Sequence, residues 1–150
     1  MITTFENFKF YKKGASVKYS AVVLDQKSRN LLLQRFIHNN PEFDDWIKIC
    51  HHMTICMGEL PEHLKRYWLD EEVGLTVTHV GSSDKALAVK VQGFFTLSKQ
   101  IKFEGDIENR YPHITLAINP IDAAPKDSNY ITEWQKIDKI KISGIVKEIS

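Results

Sequence analysis

DDWIKICHHMTICMGEL, residues 44–60, is the stretch on which the reading of this chain turns. With a period of two it places Ile47, Ile49, His51, Met53, Ile55 and Met57 on one face, and Lys48, Cys50, His52, Thr54 and Cys56 on the other. The pattern predicts a strand with one mostly apolar face and one polar face, and it assigns His51 to the apolar side as a structural histidine. Residues two apart on a strand share a face at about 6.6–7 Å, so His52 and Thr54 present an imidazole and a hydroxyl side by side. RYPHITLAINP (110–120) repeats the arrangement. There Tyr111, His113, Thr115, Ala117 and Asn119 fall together, opposite Ile114, Leu116 and Ile118. The strand begins near Pro112, where proline is tolerated, and ends before Pro120.

Two His-x-Thr pairs facing one another across a cleft suit a phosphodiester. One histidine accepts the proton of an attacking hydroxyl and the other donates a proton to the leaving oxygen. The threonine hydroxyls hold the non-bridging phosphate oxygens. General acid–base help of this kind contributes roughly 10²–10⁴-fold per group, and it requires neither a metal nor a cofactor. A metal set of Cys50, His52 and His113 is the competing use of these residue types, but their spacing follows none of the usual zinc patterns. His38, His63 and His79 have no partner at a spacing that suggests chemistry.

The flanking sequence supplies the scaffold. SVKYSAVVLD (16–25) reads as a strand, and DQKSRNLLLQRFIHNN (25–40) as a helix with Asp25 as its N-cap and a stop at Asn39–Asn40–Pro41. PEHLKRYWLDEE (61–72) predicts a short helix or turn from Pro61. VGLTVTHVGSSDKALAVKVQG (73–93) predicts a β-hairpin turning at Gly81–Asp84. A polar loop (122–134) and an alternating strand with a glycine bend (136–150) close the chain.

Length and charge bound the rest. A chain of 150 residues, 43% apolar, is expected to form a single compact domain over 1–150. Twenty basic against nineteen acidic residues leave a formal charge of +1, which argues against a protein gripping long nucleic acid by bulk electrostatics. No segment has the length of a signal peptide core or a membrane span. Cys50 and Cys56, if on one strand, lie about 20 Å apart, far beyond disulfide reach. Free thiols point to the cytoplasm, and the expected form is a monomer that engages no membrane.

The motifs HMTI (52–55) and HITL (113–116) resemble the paired motifs of the 2H phosphoesterases. The order of elements agrees over about residues 15–150. Within that superfamily KKGASVKYSAVVLD (12–25), CHHMTICMG (50–58) and RYPHITLAIN (110–119) are most similar to the phage anti-CBASS nucleases, which destroy the cyclic oligonucleotide messengers of bacterial antiviral defence. The resemblance implies an α+β fold of two pseudo-symmetric antiparallel lobes with flanking helices around a central cleft. It implies catalytic roles for His52, Thr54, His113 and Thr115, and aromatic side chains holding the bases near the cleft. Tyr111 is a candidate because it shares the polar face of the second motif; Trp68, Trp134 and Tyr11 are candidates because they lie in or beside irregular segments. Base stacking contributes about 1–3 kcal/mol per base. The expected reaction is cleavage of 3′–5′ bonds in cyclic di- or trinucleotides. The alternatives are processing of 2′,3′-cyclic phosphate ends or 2′–5′ linkages in RNA, and sequestration of a cyclic nucleotide without cleavage.

Overall fold

Asp25 does what a short acidic residue before a helix should do: its carboxylate accepts a hydrogen bond from Ser28 N at 2.7 Å and starts α1 (Gln26–Leu33). In this computed structural model, which describes residues 17–96 and 111–150, α1 runs into a π-helical turn over Gln34–His38. Leu32, Leu33, Phe36 and Ile37 are its buried side. The strands are β1 (Tyr19–Leu24), β2 (Ile47–Lys48), β3 (His52–Met57), β4 (Glu72–Ser82), β5 (Ala86–Thr96), β6 (His113–Ile118) and β7 (Trp134–Ile149). A second helix, α2 (Glu62–Trp68), follows β3, and a 3₁₀ segment over Pro125–Tyr130 precedes β7.

The sheet order is β2-β6-β3-β1-β7-β4-β5, and β5 pairs also with β6. Every pairing is antiparallel. Six strands therefore close into a barrel-like sheet, with β2 added beside β3 along the same edge of β6. The described residues thus form an α+β fold with few helices. The closure brings the motif strands together: Met53 of β3 lies opposite Ile114 of β6. Both side chains are fully buried, beside Val22, Ile55, Val89 and Leu116, and each such burial stabilises by about 1.5–3 kcal/mol. β7 crosses from β4 to β1 at Gly144, where any Cβ would run into the Val23 carbonyl and the Val22 side chain. Glycine is required there because backbone cannot retreat.

The uninterrupted alternation expected over 47–57 breaks twice. Cys50 has φ +41°, a left-handed conformation rare for a residue with a side chain. Between Lys48 and Met53 the first-motif strand takes five steps while β6 takes three, from Ala117 to Ile114. Ile49 N and Cys50 N still donate to Leu116 O and Thr115 O at 2.9 Å, so the surplus is absorbed within one hydrogen-bonded stretch. As a result Cys50 turns into the core and His51 turns out to solvent, the reverse of the expected placement of both. The second break lies at Ile55, where β1 passes from Ser20, paired with Cys56, directly to Ala21, paired with Thr54. Ile55 and Cys56 are both buried, and Met57 emerges 67% exposed.

Candidate active site

The Met53–Ile114 pair works as a hinge pin for the two motifs. With both of these side chains directed into the core, their neighbours His52, Thr54, His113 and Thr115 emerge together on the other face of the sheet. All four line one cavity of about 310 Å³, joined by Ile49, Met57, Pro125, Lys126 and Asn129. His113 and Thr115 are buried, 7% and 8% exposed. His52 and Thr54 are half-buried.

Each histidine has its Nδ1 engaged. His113 Nδ1 donates to the Tyr111 carbonyl at 3.0 Å, which leaves Nε2 as the other ring nitrogen of the neutral form. Burial lowers the pKa of His113 from the usual value, with the Tyr111 hydrogen bond working in the opposite direction. His52 Nδ1 lies 3.0 Å from Nδ1 of His51. The ring of His52 stacks on Tyr19, with centroids 4.9 Å apart and an interplanar angle of 28°. Burial, then the charges of His51 and His113, push the His52 pKa down to about 4. Both histidines are therefore neutral near pH 7 before an anion enters.

Thr115 is tied into the wall. Its Oγ1 lies 2.8 Å from Ser128 Oγ and donates to Pro125 O at 3.3 Å. Tyr111 reaches the same segment, its hydroxyl oxygen 3.0 Å from Ser128 O and 3.1 Å from Ile131 O. Thr115 of β6 and Tyr111 just before that strand thus pin the 3₁₀ segment that carries Lys126 and Asn129 to the cavity. Asn129 Oδ1 is buried and has no hydrogen-bond partner among the described residues.

The aromatic candidates separate. Trp68 is 2% exposed within the hydrophobic core and lines none of the cavity, so its expected place at the cleft is corrected: α2 turns its indole inward as core packing. Tyr111 and Trp134 lie just behind the site rather than on the cavity wall. Their rings meet edge to face at 5.3 Å, Tyr111 meets His113 at 5.7 Å, and Lys90 Nζ sits 4.9 Å and 4.8 Å from the Tyr111 and Trp134 centroids. Trp134 borders a separate cavity of about 370 Å³ with Glu42 and Glu133. Tyr11 lies outside the described residues. Tyr19, Met57, Lys126 and Asn129 join the site without a sequence signal, because their placement depends on the bulge in β3, the β1 pairing and the fold of the 122–134 loop. Cys50 Sγ points to Arg29 O at 3.8 Å on α1, away from His52 and His113. Burial raises its pKa to about 11. Among the described residues no group of three or more His, Cys, Asp or Glu is arranged to hold a metal ion, and no helix is long and apolar enough to cross a membrane.

No family model matches the chain. No curated protein matches it. Among solved structures the fold is similar to that in the crystal structure of a fungal RNA kinase, with a TM-score of 0.57 at 14% sequence identity. The likeness covers 96% of this chain and 47% of that one, so the chain spans about half the length of the kinase it matches.

Proposed function

We propose that the chain is a metal-independent phosphodiesterase of the 2H type, opening 3′–5′ bonds of cyclic di- or trinucleotides. The observation that carries this reading is the meeting of both His-x-Thr pairs in one cavity with Lys126 beside them. One histidine takes the proton of the attacking hydroxyl or water, and the other protonates the departing 5′ oxygen. Thr54 and Thr115 hold the non-bridging oxygens. The long 3.3 Å bond from Thr115 to Pro125 O is readily exchanged for one to phosphate. Lys126 offsets the phosphate charge, and Asn129 offers an unsatisfied acceptor to a sugar hydroxyl or base N–H. A volume of about 310 Å³ suits one linkage and its neighbouring sugar, with the rest of a small ring lying across Met57 and Tyr19. The two motif strands, antiparallel about Met53 and Ile114, are the axis of the two pseudo-symmetric lobes in this reading. Two free buried thiols fit a cytoplasmic site of action.

A second reading, processing of 2′,3′-cyclic phosphate ends or 2′–5′ linkages, is favoured by the fold likeness to an RNA kinase. A panel of cyclic oligonucleotides, cyclic-phosphate RNA ends and 2′–5′ dimers, with products identified in EDTA, separates the two. Cleavage of the cyclic rings alone supports the first reading and cleavage of RNA ends alone the second. Tight binding of a cyclic ring with no product would replace both by sequestration.

A further inference from the structure

We propose that His51 is a positioning residue for the reaction: it holds His52 as the general acid and supplies its proton, leaving His113 as the general base. The inference rests on the phosphodiesterase reading and adds to it the direction of proton flow.

The two site histidines differ in what occupies Nδ1. Opposite His113 is the Tyr111 carbonyl at 3.0 Å, which accepts only. The neutral ring must carry its hydrogen at Nδ1, and Nε2 presents a lone pair. Opposite His52 is another imidazole nitrogen at 3.0 Å. When His51 donates, His52 accepts at Nδ1 and carries its hydrogen at Nε2. One ring is thereby set to receive a proton and the other to give one. The contact between consecutive residues is unusual for a strand, where they face opposite ways. It exists because the left-handed Cys50 delivers His51 outside β3, with the two rings at 79° and centroids 5.2 Å apart. Tyr19 stacks on His52 and fixes the plane in which that hydrogen bond forms.

The step balances. The attacking hydroxyl gives its proton to His113 Nε2 as its oxygen bonds to phosphorus. The bond from phosphorus to the 5′ oxygen breaks, and that oxygen takes the Nε2 proton of His52. In the same step His52 Nδ1 takes the Nδ1 proton of a protonated His51, so that no imidazolate forms. Charge passes from His51 to His113, and His52 is neutral before and after. Burial makes a standing charge on His52 unfavourable, whereas the His51 ring is exposed to solvent. Among the described residues, Tyr19 from β1 stacks on His52, His113 from β6 and Lys126 from the 3₁₀ segment share its cavity, and none of the residues lining that cavity is a carboxylate.

The test uses the cyclic dinucleotide cleaved best in the panel and its analogue with sulfur in place of the bridging 5′ oxygen. Sulfur departs without a proton. His51→Ala leaves the core untouched, and the His51 carbonyl still accepts from Leu24 N. It should lower kcat on the oxygen substrate by about 10–10²-fold, at or below the range for general acid–base catalysis, with KM within about twofold. On the sulfur analogue His51→Ala should match wild type within about twofold, while His113→Ala loses activity on both. His51→Asn, whose amide still donates a hydrogen bond, should recover part of kcat. A His51→Ala enzyme that keeps its rate on the oxygen substrate, or loses equally on both substrates, overturns this proposal alone. Failure of wild type to cleave any panel member overturns the phosphodiesterase reading and this proposal with it.

Discussion

Removing Ser128 Oγ tests how the second motif holds the cavity wall. Thr115 Oγ1 and Ser128 Oγ are 2.8 Å apart, with Ser128 fully buried and Thr115 8% exposed. A hydroxyl has one hydrogen. If Thr115 spends its own on Pro125 O at 3.3 Å, Ser128 is the donor in the shorter bond. Ser128→Ala then loses a neutral hydrogen bond worth about 1 kcal/mol. Thr115→Val loses the same bond and its own bond to Pro125 O, and it also strands a buried serine hydroxyl, which costs about 1–3 kcal/mol. The double variant has no stranded hydroxyl, so it should be more stable than the two single losses predict by about 1 kcal/mol. Urea unfolding of the four proteins measures this coupling, with the slope on denaturant expected to be unchanged. In the same series Ser128→Ala should raise KM more than it lowers kcat, because the segment it pins carries Lys126 and Asn129 rather than the histidines. Losses that add within about 0.3–0.5 kcal/mol, the usual margin for independent sites, would refute the pin.

Trp68→Ala should cost about 3–5 kcal/mol, as for other large-to-small core changes, with the turnover of the folded fraction unchanged; a raised KM at full stability would return Trp68 to the cleft. The His52 imidazole should titrate near about 4 in NMR of the free protein, and His113 also below the ordinary histidine value. Because the unfolded chain takes up these protons first, stability should fall as pH drops below about 6.5, and His52→Ala should flatten that slope. Asp25 has the opposite partners: burial would raise its pKa, but hydrogen bonds from Ser143 and Ser28 bring it below the ordinary aspartate value. Its contribution is present above that value and lost as pH falls through the lower folded value, so Asp25→Asn should lower stability at pH 7 and blunt the loss in acid. Cleavage should survive chelation, since histidines and hydroxyls carry the proposed chemistry; activity lost in EDTA and restored by a divalent ion would sink it.

By itself the sequence determined the elements and the pairing of chemistry with strands. Period-two alternation is imposed by the pleat, so His52 with Thr54 and His113 with Thr115 were readable as same-face pairs before any tertiary contact was known. Asp25 as a cap, the helix from residue 62 and the hairpin after residue 72 were readable because each is set within a few residues by backbone sterics and local hydrogen bonds. Tertiary structure decided what alternation cannot encode. The left-handed turn at Cys50 and the bulge at Ile55 fit β3 between β1 and β6, whose registers are set far away in the chain. They exchange the places of Cys50 and His51 and carry Met57 onto the site. Trp68 looks the same in sequence whether it packs or binds, and only the core available beneath α2 consumes it. Lys126 and Asn129 reach the cavity because Thr115 and Tyr111 hold their segment there by hydrogen bonds to residues ten to twenty positions away. Contacts of that span depend on which surfaces the closed sheet brings together, and no local pattern carries that information.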